Sequence, residues 1–403
     1  MKRFYLILLT LLAVPLLSAA DWLQFRGSDS TSLAPDSKVP TAFSPTENLA
    51  WKAAIPGHGV CGPIVVGDRV YVSASSGAVK QDRLHVLCFD TKSGKELWKR
   101  DFWATGRCYH HPTSANAAPT PASDGKRIFA FYSSNDLVCL DLDGNLLWYR
   151  GLAHDYPKAG NDVGMSSSPL VVGDIVVVQI ENQGDSFAAG IDTATGETKW
   201  RLERPAQANW ASPAALTGKN GKQLVLLQSS TGLTAHNPQT GEQVWKYDVE
   251  SNIIPSPTAV GSRIFFAGKG LTALDADVDA TSATLAWDSN QLAPGNASPV
   301  ILDDKVYVLA ARSGVLSCGD AKTGDQLWEA RLKGTFWATP VVAGGLIYCV
   351  NQDGTVMVVK PGESSGEIVA TNELQDTILG SPAVAGNALY LRSDKFLYKI
   401  ASP

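Results

Sequence analysis

The chain has 403 residues, a formal net charge of −5 and only 18% charged residues, so it carries no basic footprint for nucleic acid. With 44% hydrophobic residues it can bury a sizeable core, and six cysteines at this length are too few for a disulfide scaffold.

Residues 1–20 read as a leader. Lys2-Arg3 is a short basic region, Phe4 to Leu17 is apolar but short for a bilayer span, and Ser18-Ala19-Ala20 supplies small residues at cleavage spacing. The pattern predicts an exported chain beginning at Asp21, soluble in the periplasm or outside the cell, with no transmembrane segment once the leader is removed. Residues 21–48 are rich in Ser, Pro and Asp with scattered aromatics, and are expected to lie extended across the body that follows.

From residue 49 to 403 the chain repeats itself at a period of about 42 residues, the length of a four-stranded propeller blade. The clearest copy is Ser298 to Trp328, which reads as four short strands joined by tight turns. A Ser/Ala-x-Pro start recurs at Pro63, Pro119, Pro169, Pro213, Pro257, Pro299, Pro340 and Pro382. The last strand is marked by Trp98, Trp148, Trp200, Trp245, Trp287 and Trp328. Between them comes an Asp/Asn-x-x-Ser/Thr-Gly turn, complete at Asp90–Gly94, Asp192–Gly196, Asn237–Gly241 and Asp320–Gly324. Its Asp can accept backbone N–H bonds while Gly supplies positive φ. The turn is shortened at Asp141–Gly144 and loosened at Asp275–Ala280, and the seventh copy has Ile368-Val369 in place of Trp.

Eight Pro starts predict an all-β, eight-bladed propeller of four-stranded antiparallel blades. The eighth copy, Ser381–Ile400, holds only three strands, whereas Leu49–Ala53 carries a Trp-strand pattern around Trp51 with no inner strands before it. The N-terminal strand is therefore expected to complete the last blade and close the ring, removing exposed edges. The blade Trp residues are read as structural wedges. Cys88, Cys139 and Cys318 lie two residues before the turn Asp, where other repeats have Gly190, Ala235 and Ala273, so they are read as small core residues.

The combination Ala/Cys-x-Asp-x-x-Thr-Gly-x-x-x-Trp with eight blades resembles the pyrroloquinoline-quinone-like propeller repeat over about residues 49–400. That superfamily includes quinoprotein alcohol dehydrogenases and the propeller lipoprotein of outer-membrane barrel assembly. The lead-in Trp22-x-Gln24-Phe25-Arg26-Gly27, with Leu49-Ala50-Trp51-Lys52, is also similar to exported propellers of planctomycete-type bacteria. The dehydrogenase resemblance would imply adjacent cysteines beside a quinone and a Ca²⁺ held by Glu, Asn and Asp. This chain has no Cys-Cys pair, no haem-attachment Cys-x-x-Cys-His and no lipobox Cys near Ala20. No cofactor is assigned, pyrroloquinoline quinone included.

In a four-stranded meander the strand one–two and three–four connections share one face, and the remaining connections share the other. The first face is uniform and short. On the second, Trp98–Pro119 and Trp148–Pro169 are much longer than the equivalent stretches elsewhere, and Ser75–Arg83 and Glu181–Ser186 are enlarged. Variable loops on a rigid scaffold commonly carry function. The candidate binding residues there are His58, Arg107, His110, His111, His154, Asp155, Asn161, Asp162, Asn209, Trp210 and Trp337. No metal-ligand spacing occurs among these histidines, so no metal is assigned. Cys61 and Cys108 lie in consecutive inter-blade loops and are expected to form a disulfide in an oxidising compartment. The expected function is a non-catalytic, monomeric module binding a protein, peptide or glycan on the looped face. A quinone-dependent oxidoreductase with atypical ligands is the alternative.

Overall fold

The computed structural model describes residues 21–78, 80–160, 163–310 and 313–402. The leader assigned to residues 1–20, and the candidates Asn161 and Asp162, lie outside them.

Each repeat converts its β-branched runs into two buried central strands flanked by a short inner strand and a half-exposed outer strand. In the sixth, Val300–Leu302, Lys305–Leu309, Val315–Asp320 and Gln326–Arg331 pair antiparallel in sequence order. Val300, Tyr307, Cys318 and Trp328 stand opposite one another across successive strands. That row packs against Val342, Ile347, Cys349, Met357 and Val359 of the seventh blade. The residue two before the turn Asp is small because the Trp covers it: a Cβ on Gly190 would lie 2.2 Å from the Trp200 ring.

Eight such sheets form the ring. The eighth takes Leu49–Ala54 as its outer strand, pairing Leu49 with Ile400 and Ala54 with Phe396, so the chain ends are stitched together as expected. One start differs from the sequence reading. In the second blade the inner strand Ala122–Ser123 follows Pro121, so the equivalent of Ser168-Pro169 is Thr120-Pro121, and Pro119 lies in the incoming loop.

The Trp wedge has a directional chemistry. Indole N–H groups of Trp51, Trp98, Trp148, Trp200, Trp287 and Trp328 donate to carbonyls of Thr91, Leu142, Thr193, Pro238, Ala321 and Gly362 in the next blade, at 2.8–3.2 Å. Each ring lies on the turn glycine of that blade; a Cβ on Gly94 would come 2.5 Å from Trp51. Trp245 breaks the pattern. The fifth-blade turn has no glycine there, Val278 packs into the same apolar cluster, and the buried Trp245 N–H has no partner. The seventh blade's Ile368 and Val369 replace Trp where the eighth has no turn to receive one, since its outer strand is a separate segment.

The lead-in spans the short-turn face. Trp22 bridges Val65 of blade one, the Leu23 carbonyl accepts from Ser123 of blade two, and the Gln24 side chain accepts from Val171 of blade three. Arg26 then crosses to blade five, donating to the Pro257 carbonyl at 2.7 Å and the Thr258 hydroxyl at 2.5 Å. Beyond it Leu33–Ala34 adds a parallel fifth strand to blade seven.

Candidate functional site

The Ser/Thr-Pro steps form a circle around the central channel. Proline needs no ladder N–H at the start of a strand and holds the preceding residue extended. That preceding residue donates its N–H to the hydroxyl at the same position in the next blade. The bonds run Gly62 to Thr120, Thr120 to Ser168, Ser168 to Ser212, Ser212 to Ser256, Ser256 to Ser298, Ser298 to Thr339 and Thr339 to Ser381, at 2.9–3.1 Å. Blade one contributes glycine because a Cβ on Gly62 would lie 2.6 Å from the Ser381 carbonyl.

A cavity of about 320 Å³ sits on this circle, lined by all seven hydroxyl residues. Phe25 of the lead-in closes it from the short-turn face. On the looped face its wall is His111, Thr113, Met165, Trp210, Ile254, Trp337 and Leu379. Among the described residues, no Asp, Glu, Lys or Arg lines it.

The candidate residues do not gather in one place. His111, Trp210 and Trp337 reach the cavity, the Trp210 indole donating to the Gly164 carbonyl at 2.8 Å and that of Trp337 to Gln352 at 3.2 Å. Arg107 lies on the rim, stacked over the ring of Tyr109, and His110 bonds the His111 carbonyl. His154 and Asp155 belong to the short helix Leu152–Asp155, with Asp155 paired to Arg150. His58 does not line the cavity; its Nδ1 meets Asp394 at 2.9 Å.

Asn209 is not a surface ligand group. It is buried, donates to the Gln228 carbonyl at 2.9 Å and bridges Glu181. Glu181 pairs with Arg204 at 2.7 Å in the same buried network. Burial raises the Glu181 pKa, and the Arg204 guanidinium opposes that rise.

The Cys61–Cys108 disulfide is not formed. All six cysteines are free; the Cys61 thiol is buried and donates to the Ser73 carbonyl, and Cys108 donates to Gly106 within its own loop. Burial pushes the Cys61 thiol pKa up, and that of Cys108 to about 11.

Sequence reasoning missed Phe25, the hydroxyl circle and Trp103. Trp103 ends the outer strand Glu96–Trp103, is 60% exposed, and carries Arg83 over its ring at 4.1 Å. Its signal was a Trp outside the repeat position. Together with Tyr109, 52% exposed, it forms an aromatic–arginine rim on the looped face of blades one and two.

The family described as "Outer membrane protein assembly factor BamB" matches residues 36–163, 81–275 and 268–363. The chain belongs to this family. A BamB of Burkholderia pseudomallei is 27% identical over 400 residues, covering 94% of both chains, and one of Moranella endobia is 25% identical, covering 87% of this chain and 78% of its own. Among solved structures, BamB from Moraxella catarrhalis superposes with a TM-score of 0.66 at 20% identity, covering 87% of this chain and 96% of its own. A europium-containing methanol dehydrogenase superposes with a TM-score of 0.71 at 15% identity, covering 93% and 89%. At such identities the two superpositions show the propeller fold alone.

The BamB-family cavity does not suit a quinone held by a hard cation. Such a cation wants several oxygen ligands with carboxylates among them. The described lining holds hydroxyls but no carboxylate, and no group of three His, Cys, Asp or Glu that could hold a metal occurs among the described residues.

Proposed function

We propose that this chain is an exported, non-catalytic propeller of the periplasm that binds protein partners in outer-membrane protein assembly, and that the looped-face rim of blades one and two is its docking surface. The mature chain begins at Asp21. Family membership supports the assembly role, since the family's description names an assembly factor.

The observation that carries the docking site is the two exposed aromatics Trp103 and Tyr109, each stacked with an arginine: Arg83, which opens the strand paired to that of Trp103, and Arg107 in the loop that follows. Aromatic and arginine side chains dominate the energetic centres of protein interfaces. Each ring here is already held by its arginine, so little ordering entropy is lost on docking.

The test is complementation. A host strain lacking this chain receives either the wild type or the Trp103→Ala/Tyr109→Ala variant, and folded outer-membrane proteins are quantified. Both side chains are exposed, so the variant is expected to accumulate normally yet fail to restore assembly. Full restoration by the variant removes the rim from the proposal.

A further inference from the structure

The circle of hydroxyls leaves something unspent. Each hydroxyl oxygen accepts a backbone N–H from the preceding blade, so its own proton must be donated elsewhere. None of the seven donates to another described group. Seven O–H donors therefore converge on one small cavity with no carboxylate among the described residues of its wall.

A cation lies beneath them. Arg26 is buried at the blade-five step just below Ser256, and its Nε has no hydrogen-bond partner. No carboxylate makes an ion pair with it among the described residues, and the exposed Asp29 acts on it only from a distance, favouring its charged form. Its charge is therefore felt upward through the low-dielectric floor.

We infer that the channel cavity is a binding site for a carboxylate carried on a compact apolar group. The hydroxyl donors and the Arg26 field favour the anion. Met165, Trp210, Ile254, Trp337 and Leu379 receive the apolar part above it. The volume is at the lower end for ligand pockets, enough for one such group. The carboxylate can come from a free organic acid or from the carboxyl terminus of a polypeptide. The site is separate from the rim of Trp103 and Tyr109 and does not depend on docking there.

The test is calorimetric titration of the full chain with 3-phenylpropionate, its amide, a dipeptide ending in phenylalanine with a free carboxyl terminus, and the same dipeptide amidated. Saturable one-to-one binding of at least one acid is expected, with its amide about tenfold weaker or worse. Binding of the propionate alone assigns a free acid; stronger binding of the dipeptide assigns a chain terminus. Thr339→Val, close in shape but lacking the donor, is expected to weaken the acid by about tenfold. The amide comparison uses the intact protein and does not depend on that variant folding. Equal affinity for acid and amide, or no saturable binding of either acid up to about 5 mM, overturns the assignment.

Discussion

Replacing Trp by Phe at two neighbouring blade positions separates the indole hydrogen bond from the wedge it belongs to. Trp200 and Trp245 are both buried on outer strands and face the next blade. Trp200 donates to the Pro238 carbonyl at 2.8 Å, whereas the Trp245 N–H is buried without a partner. Trp200→Phe loses a hydrogen bond worth about 0.5–1.5 kcal/mol net, while Trp245→Phe removes an orphan donor whose burial costs about 1–3 kcal/mol. The smaller ring leaves a comparable void in both, so that term largely cancels in the comparison. Trp200→Phe should therefore be the less stable variant by about 2–4 kcal/mol, read as the difference in guanidinium unfolding followed by circular dichroism. If the two variants unfold within about 0.5 kcal/mol of each other, the indole bond to the next blade contributes nothing and the wedge acts by shape alone.

Deleting residues 49–53 removes the outer strand paired to Phe396–Ile400, so the variant should lose the closed ring, expose an edge and melt far below the parent; a melting temperature within a degree or two of it shows that closure adds little. His236 gives an acid limb. Burial lowers its pKa to about 4, against the bond to the Gly241 carbonyl, so the unfolded chain takes up a proton near pH 6.5 that the folded one refuses. Its contribution is fully present above pH 6.5 and falls by about 3 kcal/mol toward pH 4; His236→Gln should flatten that limb, and an unchanged pH dependence refutes the assignment. At alkaline pH, iodoacetamide should label the half-buried Cys108 in the native state and Cys61 only after unfolding, and a Cys61–Cys108 peptide in a non-reducing map contradicts the free thiols. Intact mass of the envelope form should match a start at Asp21; a mass retaining residues 1–20 excludes cleavage there.

The parts of the fold legible in the sequence are those whose chemistry is local. Asp320 accepts from the N–H groups of Lys322 and Thr323 within its own turn, so Asp-x-x-Thr-Gly announces itself without tertiary information. The lone Trp strand around Trp51 was legible because a repeat makes a missing piece visible at the other end. What escaped depends on partners brought together only by closure. Ser212 bonds Ser256 across a full repeat, and Arg26 reaches Thr258 from the far end of the chain, so neither carries a local pattern. A hydroxyl or glycine before each strand-opening Pro was the available signal, and it also selects Thr120-Pro121 over Pro119. Asn209 was misplaced because position in an inter-blade loop says nothing of burial; it points into the Glu181–Arg204 network instead.

The two ends of the channel are unequal for a reason built into the lead-in. Residues 22–26 touch blades one, two, three and five in turn, so Phe25 is held against the short-turn end of the cavity from several sides. At the other end the cavity is lined by loop residues of the looped face, His111, Trp210 and Trp337 among them. The same face carries the long second- and third-blade entry loops, the stacked Arg83–Trp103 and Arg107–Tyr109 pairs, and Trp337 at the cavity wall. A partner docked on the proposed rim would rest on the same face as these lining residues. A segment of that partner could enter the cavity while its body rests on the aromatic pairs, so two weak contacts on one partner would act as one strong one.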